Sequence, residues 1–364
     1  MAQTAVRCSV LRGGTSKGLY FLAEDLPSDR DTRDAVLMAA MGSPDPRQID
    51  GMGGAHPLTS KVAVVGRSAR ADADVDYLFL QVWPDRAEVS DNQNCGNLLA
   101  GVGPFALEEG LLEPVDGGTP VRIWMENTHS LAVAHVRTPG GAVDYAGAAR
   151  IDGVPGTHAP IPIDFLDIAG SSCGALLPTG NASDEVEGIR VTCVDNGMPV
   201  VCLAAADLGV SGQESPAELE ADDSLKAKIE AVRLAAGKLM NLGDVARKTV
   251  PKMSLLSPAQ HGGAISTRTF IPHRVHEAIG VFGAVSVATA CLVPGSVAAD
   301  IAKIGTATGT RELDVEHPTG FFTVTMDVVE EDGAVVVRRS ALLRTARLLM
   351  RGEVLVPRSV WVGQ

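Results

Sequence analysis

Aromatic residues make up only 4% of these 364 residues, so large rings cannot dominate the interior and Val, Ala, Leu and Ile must fill it. Basic charge is also in deficit, with 31 Lys and Arg against 44 Asp and Glu and a net charge of −13. That field repels phosphate backbones and anionic lipid, which argues against nucleic acid and membrane surfaces as partners. No apolar run approaches the roughly 18 residues of a spanning helix. The start, Met-Ala-Gln-Thr-Ala-Val-Arg-Cys, has no basic stretch leading into an apolar one, so a cytoplasmic location is expected. The six cysteines (Cys8, Cys95, Cys173, Cys193, Cys202, Cys291) are scattered, without CxxC or zinc-type spacing, which points to a reducing compartment and no structural disulfide. GxSxG, HExxH and GxGxxG are missing from any usable setting, and the eight histidines show no two-His-plus-carboxylate spacing. Serine hydrolase, zincin and dinucleotide chemistries lack support; no metal and no cofactor is expected.

What is present is ordinary globular composition, 45% hydrophobic and 21% charged, in a length that suits two domains. Strand signals are short and frequent: Val6–Leu11, Val62–Val65, Tyr77–Val82, Val121–Met125, Leu131–Val136, Arg190–Val194, Val200–Ala204, Phe321–Val328 and Ala334–Arg338. Two helical patterns, Asn97–Glu109 and His276–Leu292, are apolar nearly all round, and a helix without a polar face belongs inside something. Ser215–Leu242 mixes charged and apolar residues, which predicts a surface helix open to interruption. The order predicts an α+β chain of two pseudo-repeated halves, each a curved, mainly antiparallel sheet wrapped round one buried helix. The boundary is expected near residues 177 and 178, within the turn-rich Gly170–Asp184 stretch, and the last strand could return to the N-terminal half. A cleft between such halves is where a site would be expected.

Two residues invite chemistry. Cys95 precedes the first buried helix, where a thiol faces the positive end of the helix dipole and unpaired N–H groups that favour its anion. The bland alternative is an inert core thiol, but Asp91, Asn92, Asn94 and Asn97 are poor company for one. Lys61 stands at the start of an apolar strand, where desolvation favours the neutral amine that acts as a base, although lysines in such places usually snorkel to water. The preceding Asp50–His56 turn is glycine-dense enough to bring a ligand against backbone. In Arg12-Gly-Gly-Thr-Ser-Lys17, successive N–H groups of Gly13, Gly14, Thr15 and Ser16 could form an anion nest; a plain hairpin turn explains the pattern as well. Arg268, His273, Arg274 and His276 cluster before the second buried helix, as a carboxylate-binding group would, and His317–Gly320 makes a further turn.

Taken in order, Arg12-Gly-Gly-Thr-Ser-Lys-Gly18, Met41-Gly-Ser-Pro-Asp45, Gly51-Met-Gly-Gly54, Leu58-Thr-Ser-Lys-Val62 and Asn94-Cys-Gly-Asn97 resemble the PrpF family, the 2-methylaconitate cis–trans isomerase group. The resemblance covers nearly the whole chain. It implies a diaminopimelate-epimerase-like fold and a catalytic pair in Lys61 and Cys95. Substrate would be bound by Gly13, Gly14, Thr15, Ser16, Asn94, Gly96, Asn97, Arg268, Arg274 and His276. Segments such as Cys173–Asn181, Val194–Val201 and Phe270–Arg274 resemble the branch of that family acting on 4-oxalomesaconate in gallate degradation. The expected partner is therefore a small anionic tricarboxylate. Amino-acid epimerases of this fold use two opposed cysteines, and the second is lacking here. Another aconitate-like isomerisation, or carboxylate binding without catalysis, stays open, as do the role of Cys95 and assembly into a homodimer.

Overall fold

The computed structural model describes residues 3–91, 94–166, 168–272, 274–304, 308–331 and 334–363. Its chain forms two units, Met1–Leu166 with Leu343–Gln364, and Asp167–Leu342.

In the first unit, β1 (Gln3–Gly13) and β2 (Ser16–Leu22) form a hairpin, and β3 (Lys61–Arg67) runs parallel to β2 with Lys61 beside Gly18. Parallel neighbours need a crossover, and α1 (Arg30–Met41) supplies it. Its first turn is capped by Asp29, whose carboxylate accepts the Thr32 N–H, and its end by Gly42 in the left-handed region. β4 (Val75–Val82) is antiparallel to β3 and carries the short β5 (Val89–Ser90). A second crossover, α2 (Gly96–Glu108), leads to β6 (Gly117–Met125), parallel to β4, and β7 (Ser130–Thr138) and β8 (Ile161–Leu166) follow antiparallel. The last strand, β18 (Ala346–Pro357), closes this unit against β1.

The second unit repeats the order. After β9 (Asp184–Val186), β10 (Ile189–Asp195) and β11 (Pro199–Ala204) form the hairpin. α3 (Pro216–Ala221) and α4 (Asp223–Leu239) make the crossover to the parallel β12 (Lys252–Ser257). β13 (Ile265–Ile271) and the short β14 (Arg274–Val275) follow, then α5 (Val281–Leu292), α6 (Val297–Ala302) and β15 (Gly309–His317), parallel to β13. β16 (Gly320–Glu331) and β17 (Ala334–Arg344) complete the run.

Both helices expected to be buried are. α2 is buried from Leu98 through Leu107, and every residue of α5 is buried. Strands curve round each on one side, while α1 or α4 covers the outer face, Val36, Leu37 and Met41 meeting Phe21 and Val62 in the first unit, Ile229 and Val232 meeting Val201 and Leu255 in the second. Burying such side chains is worth roughly 1.5–3 kcal/mol each, which explains why aliphatic strands suffice without aromatics. The surface helix is interrupted, with Asp222 ending α3 and capping α4.

α5 starts at Val281, later than the expected His276. His276 N–H donates to Thr269 O and its ring Nδ1 accepts the Ala278 N–H, so this segment is tied to β13 and coils only after Gly280. The stretch 170–184 lies inside the second unit.

Candidate active site

β4 organises the first unit's site. Alternate residues of a strand share one face, and Tyr77, Phe79 and Gln81 use theirs to hold both expected catalytic residues. The Tyr77 hydroxyl donates to Cys95 O at 3.3 Å, and the Phe79 ring lies 4.9 Å from Lys61 Nζ. Gln81 Oε1 accepts from Lys61 Nζ at 2.8 Å. The amide is fixed in that orientation because Gln81 Nε2 donates to Pro57 O and Ser60 O, leaving the oxygen toward the lysine. Lys61 is only 6% exposed, and Gln81 is a neutral partner. Among the described residues no carboxylate pairs with the amine.

Cys95 is the N-cap of α2. Its backbone is extended and its Sγ accepts the Leu98 N–H at 3.5 Å, which places the sulfur among the first N–H groups of a largely buried helix. Among the six free cysteines it is the half-buried one; burial pushes the other five thiols up, Cys8 to about 11 and Cys173, Cys193 and Cys291 to about 12. Those five are core residues, held as thiols rather than as the nucleophilic thiolate at neutral pH.

The Arg12–Lys17 turn docks on the start of α2. Gly14 has φ +52°, and a β-carbon there would lie 2.2 Å from Asn97 Oδ1; one on Gly13 would lie 2.4 Å from Asn97 O. Only glycine allows this approach. Across the contact, Asn97 Nδ2 donates to Thr15 Oγ1 at 3.1 Å. Ser16 is buried, and its hydroxyl has no hydrogen-bond partner among the described residues. Asn94 Oδ1 accepts from the Cys95 N–H, and Gly96 is buried as the first residue of α2. Asp91 pairs with Arg30 and so does not frame the thiol; Asn92 lies outside the described residues.

Sequence reading missed two cations, a threonine and an amide. Arg344, Thr345 and Arg347 return to the first unit, and the last two meet the Arg12–Lys17 turn more than 300 residues after it. Thr345 O accepts from Gly14 N–H and from Arg12 Nη1, and Arg347 stands opposite Arg12 in the β1–β18 register. Arg344 is 7% exposed; burial pushes its guanidinium down to about 9, opposed by the nearby Cys95, so it remains cationic at neutral pH. No local pattern marks a basic pair whose partner turn is at the other end of the chain. Gln81 did leave a signal, a polar residue in the apolar run Tyr77–Val82.

Other expectations change. The Asp50–His56 glycines serve the chain's own close packing: a β-carbon on Gly51 would lie 2.1 Å from Gly42 N and one on Gly53 2.2 Å from Gln48, while the Met52 and Gly53 N–H groups satisfy the last carbonyls of α1. In the second unit, Arg268 Nε and Nη1 donate to Glu214 O and Thr267 O, which ties down a loop with donors assigned to carboxylate binding. His276 is not a cation. Burial above all, then His317 and Lys252, pushes it down to about 4, so it is neutral at pH 7 with Nδ1 accepting. Arg274 is exposed at the start of β14, well before α5 begins at Val281, and His273 lies outside the described residues. His317 and Gly320 pair in the β15–β16 turn. Among the described residues no three His, Cys, Asp or Glu gather as a metal site would, and no helix is long and apolar enough to cross a membrane.

Known proteins carry the same architecture. The structure of a methylitaconate Δ-isomerase superposes with a TM-score of 0.86 at 34% identity, covering 100% of this chain and 98% of that one. Together with more distant epimerase and racemase structures it makes the fold diaminopimelate-epimerase-like. A (4E)-oxalomesaconate Δ-isomerase of Novosphingobium is 63% identical over 96% of this chain and 97% of its own length. A 4-oxalomesaconate tautomerase of Pseudomonas putida is 59% identical over 100% and 99%. These relatives are isomerases, and the resemblance seen in the first motifs extends along residues 3–357, which match the family described as PrpF protein. The chain belongs to the PrpF family.

Proposed function

We propose that this chain is a cofactor-independent isomerase that moves a proton within 4-oxalomesaconate, with Lys61 as the base and Cys95 as its partner at the helix N-terminus. The observation that carries this reading is the buried Lys61–Gln81 hydrogen bond on the strand face that also fixes Cys95. A carbon next to a ketone in conjugation with an alkene is acidic. Lys61, as neutral amine, takes its proton, and the electron pair spreads into a dienolate. Returning a proton to oxygen gives the enol tautomer; returning it to the far carbon of the same three-carbon system moves the double bond. Nothing is oxidised or reduced, so proton carriers and charge stabilisation are sufficient. Cys95 gives or relays the second proton, or holds the intermediate. Negative charge develops near the first turn of α2 and the Gly13–Ser16 turn, with Arg344 as a fixed positive charge beside the thiol, and such preorganised groups stabilise it without rearranging.

The names of the two relatives above differ in outcome, enol formation in one and a Δ shift in the other. Incubation with 4-oxalomesaconate in deuterated water, followed by NMR, separates them: deuterium retained on a new carbon means an allylic shift, and loss of one carbon-bound proton to an enol means tautomerisation. Binding with no deuterium incorporation at all would refute catalysis.

A further inference from the structure

Beside the turn that meets α2, the first unit contains a cavity of about 310 Å³ whose walls include Arg12, Ser16, Lys17, Thr59, His158 and Arg347. We propose that this cavity is a carboxylate subsite, which holds an acid group of the substrate remote from the carbon that loses its proton; it rests on the reading of the chain as a polycarboxylate isomerase.

Four basic side chains line the cavity and no acidic one does among the described residues. Arg12 and Arg347 face each other across β1 and β18, and like charges directly opposite in a strand pair repel. The consequence is seen in both neighbours: burial first, then Arg347, pushes the Arg12 guanidinium down, and burial followed by Arg12 and Arg347 pushes His158 down. A folded chain keeps such a cluster at a cost unless an anion completes it.

The donors are also left incomplete. Arg12 Nη1 donates to Gly14 O, Thr345 O and Thr345 Oγ1, which fixes the plane of the guanidinium, while its Nη2 is buried without a partner among the described residues. Ser16 is 1% exposed, and its hydroxyl is equally unpaired. Buried polar groups in native proteins are nearly always satisfied, and here two residues that line one cationic cavity each keep an unpaired donor just behind its surface.

Two wall residues are linked through the chain to the candidate catalytic residues. Thr59 precedes Lys61 by two residues, in the short helical turn Pro57–Thr59 that leads into β3, and Thr15, also on the wall, is hydrogen-bonded to Asn97, two residues beyond Cys95. Neither Lys61 nor Cys95 lines the cavity, so an acid held here leaves the proton carriers free. The expected ligand is a di- or tricarboxylate spanning both places; a monocarboxylate would gain from only one.

The test uses tricarballylate, a saturated tricarboxylate with no acidic allylic proton, titrated calorimetrically into the full chain and its variants. Wild type and Lys61→Met should bind it alike. Arg347→Met should bind it about tenfold more weakly, the scale of one lost charge-assisted contact, and Arg347→Lys should recover part of the loss. Arg347 is exposed, and its removal relieves repulsion with Arg12, so the melting temperature without ligand should stay level or rise. In turnover, Arg347→Met should raise KM while kcat changes little. Unweakened tricarballylate binding by Arg347→Met, or no binding by wild type, overturns the subsite, whatever Lys61→Met does to turnover. Near-normal turnover by Lys61→Met would instead sink the isomerase assignment and leave the binding result standing.

Discussion

The two units run the same course and end in different chemistry. In each, a hairpin is followed by a helical crossover to a parallel third strand, and that strand begins with a lysine: Lys61 beside Gly18 in the first unit, Lys252 beside Val200 in the second. The surroundings then diverge. Lys61 stands across from Gln81, whose amide oxygen receives it, and Gln81 in turn pairs with Ser90. One step beyond the Met253–Phe270 pair, the register sets Ile271 opposite Lys252, and Ile271 pairs with Arg274. Burial, reinforced by Arg233, pushes Lys252 down to about 8. The helices diverge as well. α2 is capped by the Cys95 sulfur, whereas α5 begins after Gly280, which has no side chain to offer. A duplicated scaffold thus keeps its backbone pattern while one copy holds a lysine by a neutral acceptor, a thiol at a helix start and its own arginines. The pattern is retained because it builds the core, and the side chains at its strand ends are open to change.

The largest test of this difference pairs the two lysines. Lys61→Met should lower turnover by about 10²–10⁴-fold, the usual worth of a positioned base, with circular dichroism unchanged; Lys252→Met should stay within a factor of about three. Equal losses would erase the asymmetry.

Next comes the acceptor. Gln81→Leu strands the Lys61 amine and leaves the Pro57 and Ser60 carbonyls without their donor, so stability should drop by about 1–3 kcal/mol in urea unfolding and kcat should fall while KM holds. A fall in stability alone would make Gln81 a packing residue.

The helix starts give a finer comparison. Cys95→Ser keeps an N-cap that accepts from Leu98, so stability should be maintained while turnover falls about tenfold or more. Gly280 has open space where a β-carbon would go and an ordinary φ of −69°, so Gly280→Ser should stabilise by about 0.3 kcal/mol without changing rate. A rate loss in Gly280→Ser and none in Cys95→Ser would reverse the roles assigned to the two helices.

The last comparison is in pH and acts on stability alone. His276 titrates near 4 in the folded chain and near the ordinary 6.5 when unfolded. Between these values the unfolded chain binds more protons, so this group's contribution is complete above pH 6.5 and is lost as pH falls through 4. Denaturation curves across that window should show a shallower acid decline in His276→Gln than in wild type.

Much of this was readable along the chain because it is local. A helix apolar all round must be enclosed, a Cys-Gly pair before it marks a helix start, and short β-branched runs between Gly, Pro and Asp mark strands; α2, α5 and the expected strands are all found. The ordered motifs from Arg12 to Asn97 carried the family for the same reason, being residues fixed in sequence whatever the rest of the chain does. What tertiary structure alone decided depends on partners far apart in sequence or on the depth of burial. Thr345 and Arg347 reach the Arg12 turn only because β18 pairs with β1, and Lys61 meets Gln81 only by the β3–β4 register. His276 was expected as a charge and is neutral because burial removes its water. The sequence by itself determined which elements form and which residues could do chemistry. Coulomb energy and desolvation, set by three-dimensional neighbours, decided which of those residues are gathered, paired or charged.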